Sequence, residues 1–304
     1  MELKNIVLAK PFLKWAGGKS QLINVIETAL PEKLKSLKNF TYVEPFIGSG
    51  AVLLRVLQHY PNIKKAIIND INIDLVKAYI SIKKEPGLII NQLDVIQKKY
   101  FSLKNEAEKK LYFLEKRDNF NARNLNDINN SALLIFLNKT CFNGLYRVNS
   151  NNKFNVPFGR YENPKICDEE NIIAVNKLLQ KVKILHGDYT ETLKHITGES
   201  FFYFDPPYKP ISKTSSFNKY AKESFDDEEQ KRLKTFCDTL SAKKIMWLLS
   251  NSDTKNNNAE DHFFDELYKG DSIFINRVKA RRSINSNATK RGEIFELLIS
   301  NYKK

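Results

Sequence analysis

Apolar residues in this chain fall into two patterns. Short unbroken runs occur at "TYVEPF" (41–46), "KKAIIND" (64–70), "KVKILHGD" (181–188), "SFFYFD" (200–205) and "KKIMWLLSN" (243–251). Runs of this length, bounded by Gly, Pro, Asn or Asp, predict buried strands. Between them, apolar residues recur at helical spacing, as in "AVLLRVLQHY" (51–60) and "DLVKAYISIKK" (74–84). "IFELLISNY" (294–302) predicts a closing strand. The alternation predicts an α/β fold with a mostly parallel sheet.

From about residue 76 to 170 the rhythm breaks. "NEAEKKLYFLEKRDNFNARNLND" is charged and helical, and "SALLIFLNKT" (131–140) predicts a buried helix. "CFNGLYRVNSNNKFNVPFGRY" (141–161) has short apolar segments around a turn-rich "NSNNK" and predicts a β-hairpin. At 304 residues the chain exceeds a typical single domain. The break therefore predicts an insertion, 76–170, within one discontinuous domain made of 1–75 and 171–304.

Composition adds a lean rather than a decision. There are 49 Lys and Arg against 35 Asp and Glu, a net charge of +14, which favours a polyanionic partner. An AT-rich genome enriches Lys and Asn as well, so the charge alone decides little. Cys141, Cys167 and Cys237 are widely spaced, form no C-x-x-C pair and cannot make a full disulfide set. They argue against a structural zinc site and fit a reducing compartment. The N-terminus has no signal-peptide core and no apolar run is long enough to span a bilayer. A soluble, cytoplasmic protein that uses no metal is expected.

"YVEPFIGSGAVLL" places Gly48 and Gly50 between a strand and a helix, where glycine lets backbone approach a ligand and the helix start offers free N–H groups. Asp70 ends the next strand about 20 residues on, the position from which an acid reaches ribose hydroxyls. "FIGSG" by itself reads equally as a tight turn; Asp70 tips it toward an adenosine-containing cofactor. Leu53 replaces the third glycine of the dinucleotide fingerprint. "GGKS" (17–20) only imitates the end of a phosphate loop, because Lys14 stands where its first glycine belongs. A cofactor without pyrophosphate, S-adenosylmethionine, fits best.

"FFYFDPPYKP" (201–210) ends a buried strand on a carboxylate followed by two prolines and a tyrosine. That arrangement suits methyl transfer to the exocyclic amino group of a nucleobase, whose lone pair is conjugated into the ring. Asp205 and the Pro206 carbonyl would accept the two amino hydrogens. The carbonyl is held because Pro206 and Pro207 restrict the backbone. Tyr208 would stack on the base, and Asp205 would favour the positive charge that grows on nitrogen. A base inside a duplex must be flipped out to reach such a pocket. The plainer alternative is a strand-ending turn with a surface tyrosine.

Five blocks occur in order: "FLKWAGGKSQL" (12–22), "EPFIGSG" (44–50), "LNKTCFNGLYRVNSNNKFNVPFGRY" (137–161), "FDPPY" (204–208) and "RRSINSN" (281–287). Together they resemble the Dam-type DNA adenine-N6 methyltransferases, which act on GATC. The resemblance runs nearly end to end and is weakest at 85–130 and 255–270. It implies a Rossmann-like S-adenosylmethionine-dependent methyltransferase fold, with 76–170 as a target-recognition domain for double-stranded DNA. It places Trp15, Lys19, Glu44, Phe46, Gly48, Gly50, Asp70, Asp188, Tyr189 and Asp205 at the cofactor. Phe46 would lie on the adenosyl group, and Asp188 and Tyr189 would border the adenine. Asp205, Pro206, Pro207 and Tyr208 would be the catalytic loop.

On the DNA side the resemblance makes Arg147 the base-reading arginine, with Leu145 and Pro157 in apolar contact with bases and Tyr161 beside them. Phe142 and Asn143 would wedge into the stack, and Lys14 would contact the outer guanine. Arg160, Arg281 and Arg282 would hold phosphates, which position without specifying. Read from the residues alone, Arg147 and Arg160 are solvated charge, and Trp15 and Phe46 are core aromatics. The resemblance implies either a restriction–modification role, with an endonuclease as a functional and not necessarily physical partner, or a housekeeping role in which the enzyme acts alone. A single flipped base makes a monomer sufficient. Methylation of an RNA base or a glutamine side chain, and a non-catalytic DNA binder on the same fold, remain alternatives. Asp205 in place of the Asn usual in glutamine methylation, and the arginines of the hairpin, weigh against the glutamine substrate.

Overall fold

A computed structural model of the chain describes residues 7–15, 17–19, 21–208, 225–256, 258–281 and 293–304. The described strands are β1 (Phe40–Glu44), β2 (Ile63–Asp70), β3 (Val182–His186), β4 (Ser200–Phe204), β5 (Met246–Ser252), β6 (Phe274–Arg281) and β7 (Glu293–Ser300). They form a seven-stranded sheet in the order β3-β2-β1-β4-β5-β7-β6. β1 pairs in parallel with β2 and β4, and β4 with β5, whereas β7 is antiparallel to both β5 and β6. The expected α/β, Rossmann-like class holds. No described helix is long and apolar enough to cross a membrane.

The chain divides into two compact units, one made of 19–47, 59–69 and 188–304, the other of 1–18, 48–58 and 70–187. The first unit holds most of the sheet. β1 and β4 are buried at every position. Strands covered on both faces show this unbroken apolar run instead of alternation, which is why their sequences are so legible. The register sets Val43 beside Phe202 and Phe204 beside Leu249. Parallel pairing brings the carboxyl ends of β1, β4 and β5 to one edge, the edge where open α/β sheets bind ligands. The apolar pattern does not single out β6. It is an outer strand whose residues are half-buried or exposed and include Arg277 and Lys279. Charge of that kind blunts a sheet edge and erases the periodicity.

The second unit is mostly helical. In chain order it contains α3 (Ala51–His59), α4 (Ile73–Lys84), α5 (Pro86–Ser102), α6 (Glu106–Ala122), α7 (Asp127–Thr140) and α8 (Glu169–Leu179); α1 (Ile23–Ala29) and α2 (Lys33–Ser36) belong to the first unit. Asn72, Asn105 and Asn126 cap α4, α6 and α7 by accepting backbone N–H groups of the first turn. α7 is buried nearly all round from Asn130 to Thr140 and packs against α4, α5 and α6, as a central helix must. After it, 142–144 makes a short 3-10 turn. Isolated antiparallel bridges join Cys141 to Phe158 and Val148 to Phe154, and a turn at 149–152 closes the loop. All of 76–170 lies in this unit, together with the glycine turn after β1.

Candidate active site

In the sheet unit, Asp205 leaves the end of β4 directly into Pro206 and Pro207. Its Oδ1 is 2.7 Å from Lys19 Nζ and accepts from Ser250 Oγ of β5 at 3.2 Å. Lys19 is only 4% exposed. Its ammonium also lies 3.6 Å from Glu296 Oε2 of β7 and donates to the Tyr208 hydroxyl. Tyr208 donates in turn to Glu296 Oε2 at 2.7 Å. The ring of Tyr208 sits beneath the same ammonium, 4.3 Å from ring centroid to Nζ. Buried Gln230 of α9 (Asp227–Ala242) donates to the Pro207 carbonyl at 3.3 Å. The loop is thus held at its carboxylate, its backbone and its aromatic tip.

Two carboxylates share one ammonium here. Burial pushes the Asp205 carboxyl above its ordinary value, Lys19 pulls it back, and Glu296 pushes it up again. Burial, then Asp205 and Glu296, raise the Tyr208 phenol far above its ordinary range, so it acts as a donor. Sequence reasoning put Lys19 and Asp205 together at the cofactor, and the structure pairs the two. It did not find Glu296, Ser250 or Gln230. Glu296 had a signal, being the lone acid in the apolar run "IFELLIS", and it is 8% exposed. Glu44, at the end of β1, is buried and accepts from the Tyr42 hydroxyl at 2.8 Å.

Phe46 stands in an aromatic group of the same unit, with centroids 5.1 Å from Tyr189 and 5.6 Å from Phe225. The Tyr189 hydroxyl is buried and has no partner among the described residues. Arg232 lies over the Tyr189 ring and pairs with Asp188 Oδ2 at 2.7 Å. Burial works to raise Asp188, but the Thr190 hydroxyl and Arg232 outweigh it and hold the carboxyl below its ordinary value.

In the helical unit, Gly48 and Gly50 adopt φ of 47° and 70°, which a side chain would strain. A Cβ on Gly48 would also lie 3.1 Å from Trp15 Cδ1. Gly48 N donates to Asp70 Oδ2 at 3.2 Å, Asn72 N to Asp70 Oδ1 at 2.9 Å, and the Tyr79 hydroxyl to the Gly48 carbonyl at 3.1 Å. Burial raises the Asp70 carboxyl, and these backbone donors work against it. A left-handed glycine turn beside an acid that ends a strand fits an adenosine-bearing ligand.

The loop expected to meet DNA belongs to the helical unit. Asn138, buried in α7, accepts from Lys14 N at 2.8 Å and donates to the carbonyls of Lys14 and Gly144 at 2.9 and 2.8 Å. That clamp, absent from the sequence reading, fixes the strap carrying Lys14 against the turn carrying Phe142 and Asn143. Phe142 is 53% exposed, and Asn143 takes a left-handed φ of 57°. Arg147 is exposed, with Nε donating to Asn155 Oδ1 at 2.8 Å, so its fork is oriented before any ligand arrives. Leu145 is half-buried, and Phe142 N donates to the Pro157 carbonyl at 2.8 Å. Lys14 Nζ is 5.6 Å from the centre of the Tyr161 ring. Arg160 pairs with Glu106 at 3.3 Å on the surface. Arg281 ends β6, and Arg282 lies outside the described residues. Among the described residues no cluster of His, Cys, Asp or Glu could hold a metal ion.

Comparison with known proteins supplies the class. Residues 15–284 match the family described as D12 class N6 adenine-specific DNA methyltransferase. The type II methyltransferase M.MjaIII of Methanocaldococcus jannaschii is 48% identical over 96% of this chain and 99% of its own. The type II methyltransferase M1.LlaDCHI of Lactococcus lactis subsp. cremoris is 36% identical over 98% of each chain. A DNA adenine methylase of Haemophilus influenzae is 35% identical over 97% of this chain and 95% of its own. The chain belongs to the D12 class of N6 adenine-specific DNA methyltransferases. It is a DNA-modifying enzyme whose reaction adds a methyl group to adenine.

Proposed function

We propose that the enzyme methylates N6 of adenine in GATC within double-stranded DNA, on a base flipped out of the duplex, and takes the methyl group from S-adenosylmethionine. The observation that carries the chemistry is Asp205, half-buried and held at 2.7 Å by Lys19 at the start of a proline-fixed turn. Asp205 and the Pro206 carbonyl accept the amino hydrogens, which localises the nitrogen lone pair. Tyr208 supplies a flat face to the base, its hydroxyl tied to Glu296 and its ring steadied by the Lys19 ammonium. Pro207, tied by Gln230, keeps that face in place. Asp205 also offsets the charge that develops on nitrogen. No metal enters the scheme.

When bound, the cofactor supplies an electrophilic methyl on a sulfonium. Gly48 and Gly50 give it backbone access, Asp70 takes its ribose hydroxyls, and Trp15 closes on the glycine turn. Phe46, Asp188 and Tyr189 receive its adenine, with the Tyr189 hydroxyl as a waiting donor. Glu44 stands at the same edge of the sheet, at the end of β1. Lys19 serves this site by holding Asp205.

The 76–170 segment is the target-recognition part. Arg147 reads a guanine through O6 and N7, Leu145 and Pro157 add apolar base contacts beside Tyr161, and Lys14 takes the outer guanine. Phe142, exposed and on a strained turn with Asn143, fills the gap left by the flipped adenine. Arg160, Arg281 and Arg282 hold phosphates. The names of the two type II relatives support a restriction–modification role, with the endonuclease as a functional partner. One copy of the chain suffices for one flipped base.

Methyl transfer from labelled S-adenosylmethionine to two matched duplexes, one with a single GATC and one scrambled, tests this. Label on N6-adenine in the GATC duplex alone is expected. Label in both removes the specificity claim, and label in neither removes the cofactor and target assignments together. Arg147→Ala is expected to cost about 1–3 kcal/mol of discrimination at one base pair. Arg160→Ala should weaken every duplex alike and flatten the salt dependence. Competition binding across single-base variants of the site separates the two; equal losses for both variants would remove Arg147 as the base reader.

A further inference from the structure

Asp70 and Asp74 stand on either side of Asn72, the residue that caps α4. Asp70 serves the glycine turn, accepting from Gly48 N at 3.2 Å and from Asn72 N at 2.9 Å. Asp74 is 5% exposed and serves the loop that bears Arg147. Its Oδ2 accepts from the Tyr146 hydroxyl at 2.9 Å. Its Oδ1 accepts from the Arg123 guanidinium and from Asn130 Nδ2 at 3.4 Å. Arg123 also donates to the Asn152 carbonyl at 3.2 Å, in the turn at the far end of the same loop. One buried carboxylate thus holds the loop directly at Tyr146 and, through Arg123, at its 149–152 turn. A buried acceptor is costly to leave unsatisfied, so losing one of these donors weakens the hold on the loop.

Tyr146 has a second connection. Its ring stacks on Trp15, with centroids 5.0 Å apart and planes 19° from parallel, and Phe154 meets it edge-on at 6.0 Å. Trp15 is the side chain that a Cβ on Gly48 would strike. From Tyr146, then, one path runs through Trp15 to Gly48, and another through Asp74, along the backbone of the α4 start to Asn72, and through Asp70 to the same residue. Arg147 is the next residue in the chain.

We propose that Tyr146 is a positioning residue that couples the Arg147 loop to the glycine turn, through its stack on Trp15 and its hydrogen bond to Asp74. The inference rests on the functional reading given above. A duplex that fixes Arg147 fixes the Tyr146 ring, and with it Trp15 and the turn at Gly48. A ligand on the glycine turn orders the loop in the same way. Such coupling is reciprocal: the target duplex must raise cofactor affinity by the factor with which the cofactor raises duplex affinity.

The test is calorimetric titration of S-adenosylhomocysteine, which binds without reacting, into the full-length protein with and without a GATC duplex. The unaltered protein is expected to bind it about fivefold or more tightly when the duplex is present, the lower end of usual coupling. In Tyr146→Phe, which keeps the stack and loses the hydrogen bond, the coupling factor should fall to less than about half its value. In Tyr146→Ala it should approach one. Thermal unfolding checks that each variant is folded. A merely structural role would lower the melting temperature or both affinities and leave the ratio untouched. An unchanged ratio in Tyr146→Phe, or a ratio of one in the unaltered protein, overturns the coupling while leaving the functional reading standing. No binding of S-adenosylhomocysteine to the unaltered protein overturns both.

Discussion

Replacing Asp205 by alanine is expected to reduce methyl transfer by about a thousandfold or more, the scale for removing a preorganised group aimed at developing charge. Duplex affinity should remain near that of the unaltered protein. The expectation follows from what surrounds the carboxylate. Lys19 keeps a second partner in Glu296, 3.6 Å away, so deleting Asp205 does not strand a buried ammonium. Ser250 keeps a shared hydrogen bond with the Tyr203 hydroxyl at 2.9 Å. The turn itself is fixed by Pro206, Pro207 and Gln230 rather than by Asp205. Asp205→Asn separates two contributions. It retains an oxygen acceptor and loses the negative charge, so an activity between alanine and aspartate divides hydrogen acceptance from charge stabilisation. Single-turnover rates at saturating cofactor and duplex read this directly. Unchanged rates in Asp205→Ala would mean that Asp205 takes no part in methyl transfer.

Legibility in the sequence followed burial. β1 and β4 are covered on both faces, and their unbroken apolar runs could be read at once. β6 carries Arg277 in an ion pair with Asp253 and Asp265, and its charges hid it. The glycine turn was legible because the left-handed φ of 47° and 70° there favours glycine. "DPPY" was legible because a carboxylate followed by two prolines is odd at a strand end. The groups that set its chemistry were not. Lys19, Ser250 and Glu296 come from three distant segments, and no local pattern links them. Asn138 and Asp74 look like ordinary helix residues, and only the folded chain reveals that each ties down a loop. The sequence points to the groups proposed to react, and the structure shows which groups hold them.

Lys19→Met is expected to be strongly destabilising at neutral and alkaline pH, and less so as the pH falls. Methionine keeps an apolar stem of similar length and removes the ammonium. Asp205 and Glu296 then share a buried site in which the Ser250 and Tyr208 hydroxyls remain to offset them. Breaking a buried pair by removing one partner costs about 3–5 kcal/mol while the remaining charge stays ionised. The carboxyl can escape that cost by taking a proton. Burial already pushes Asp205 up, with Glu296 adding to it, and Lys19 is the chief group opposing them. Without Lys19 the carboxyl moves further above its unfolded value. The folded variant then binds more protons than the unfolded chain, so its stability rises as pH falls through the raised value and declines as pH increases. Melting temperatures of the two proteins should therefore converge toward mildly acidic pH and diverge toward alkaline pH. Catalysis should report the same shift from the other side. Methyl transfer needs the carboxylate, so the acid limb of the rate profile must move to higher pH in Lys19→Met. A stability gap independent of pH together with an unmoved acid limb would mean that Lys19 does not govern the charge of Asp205, and its place would return to the cofactor.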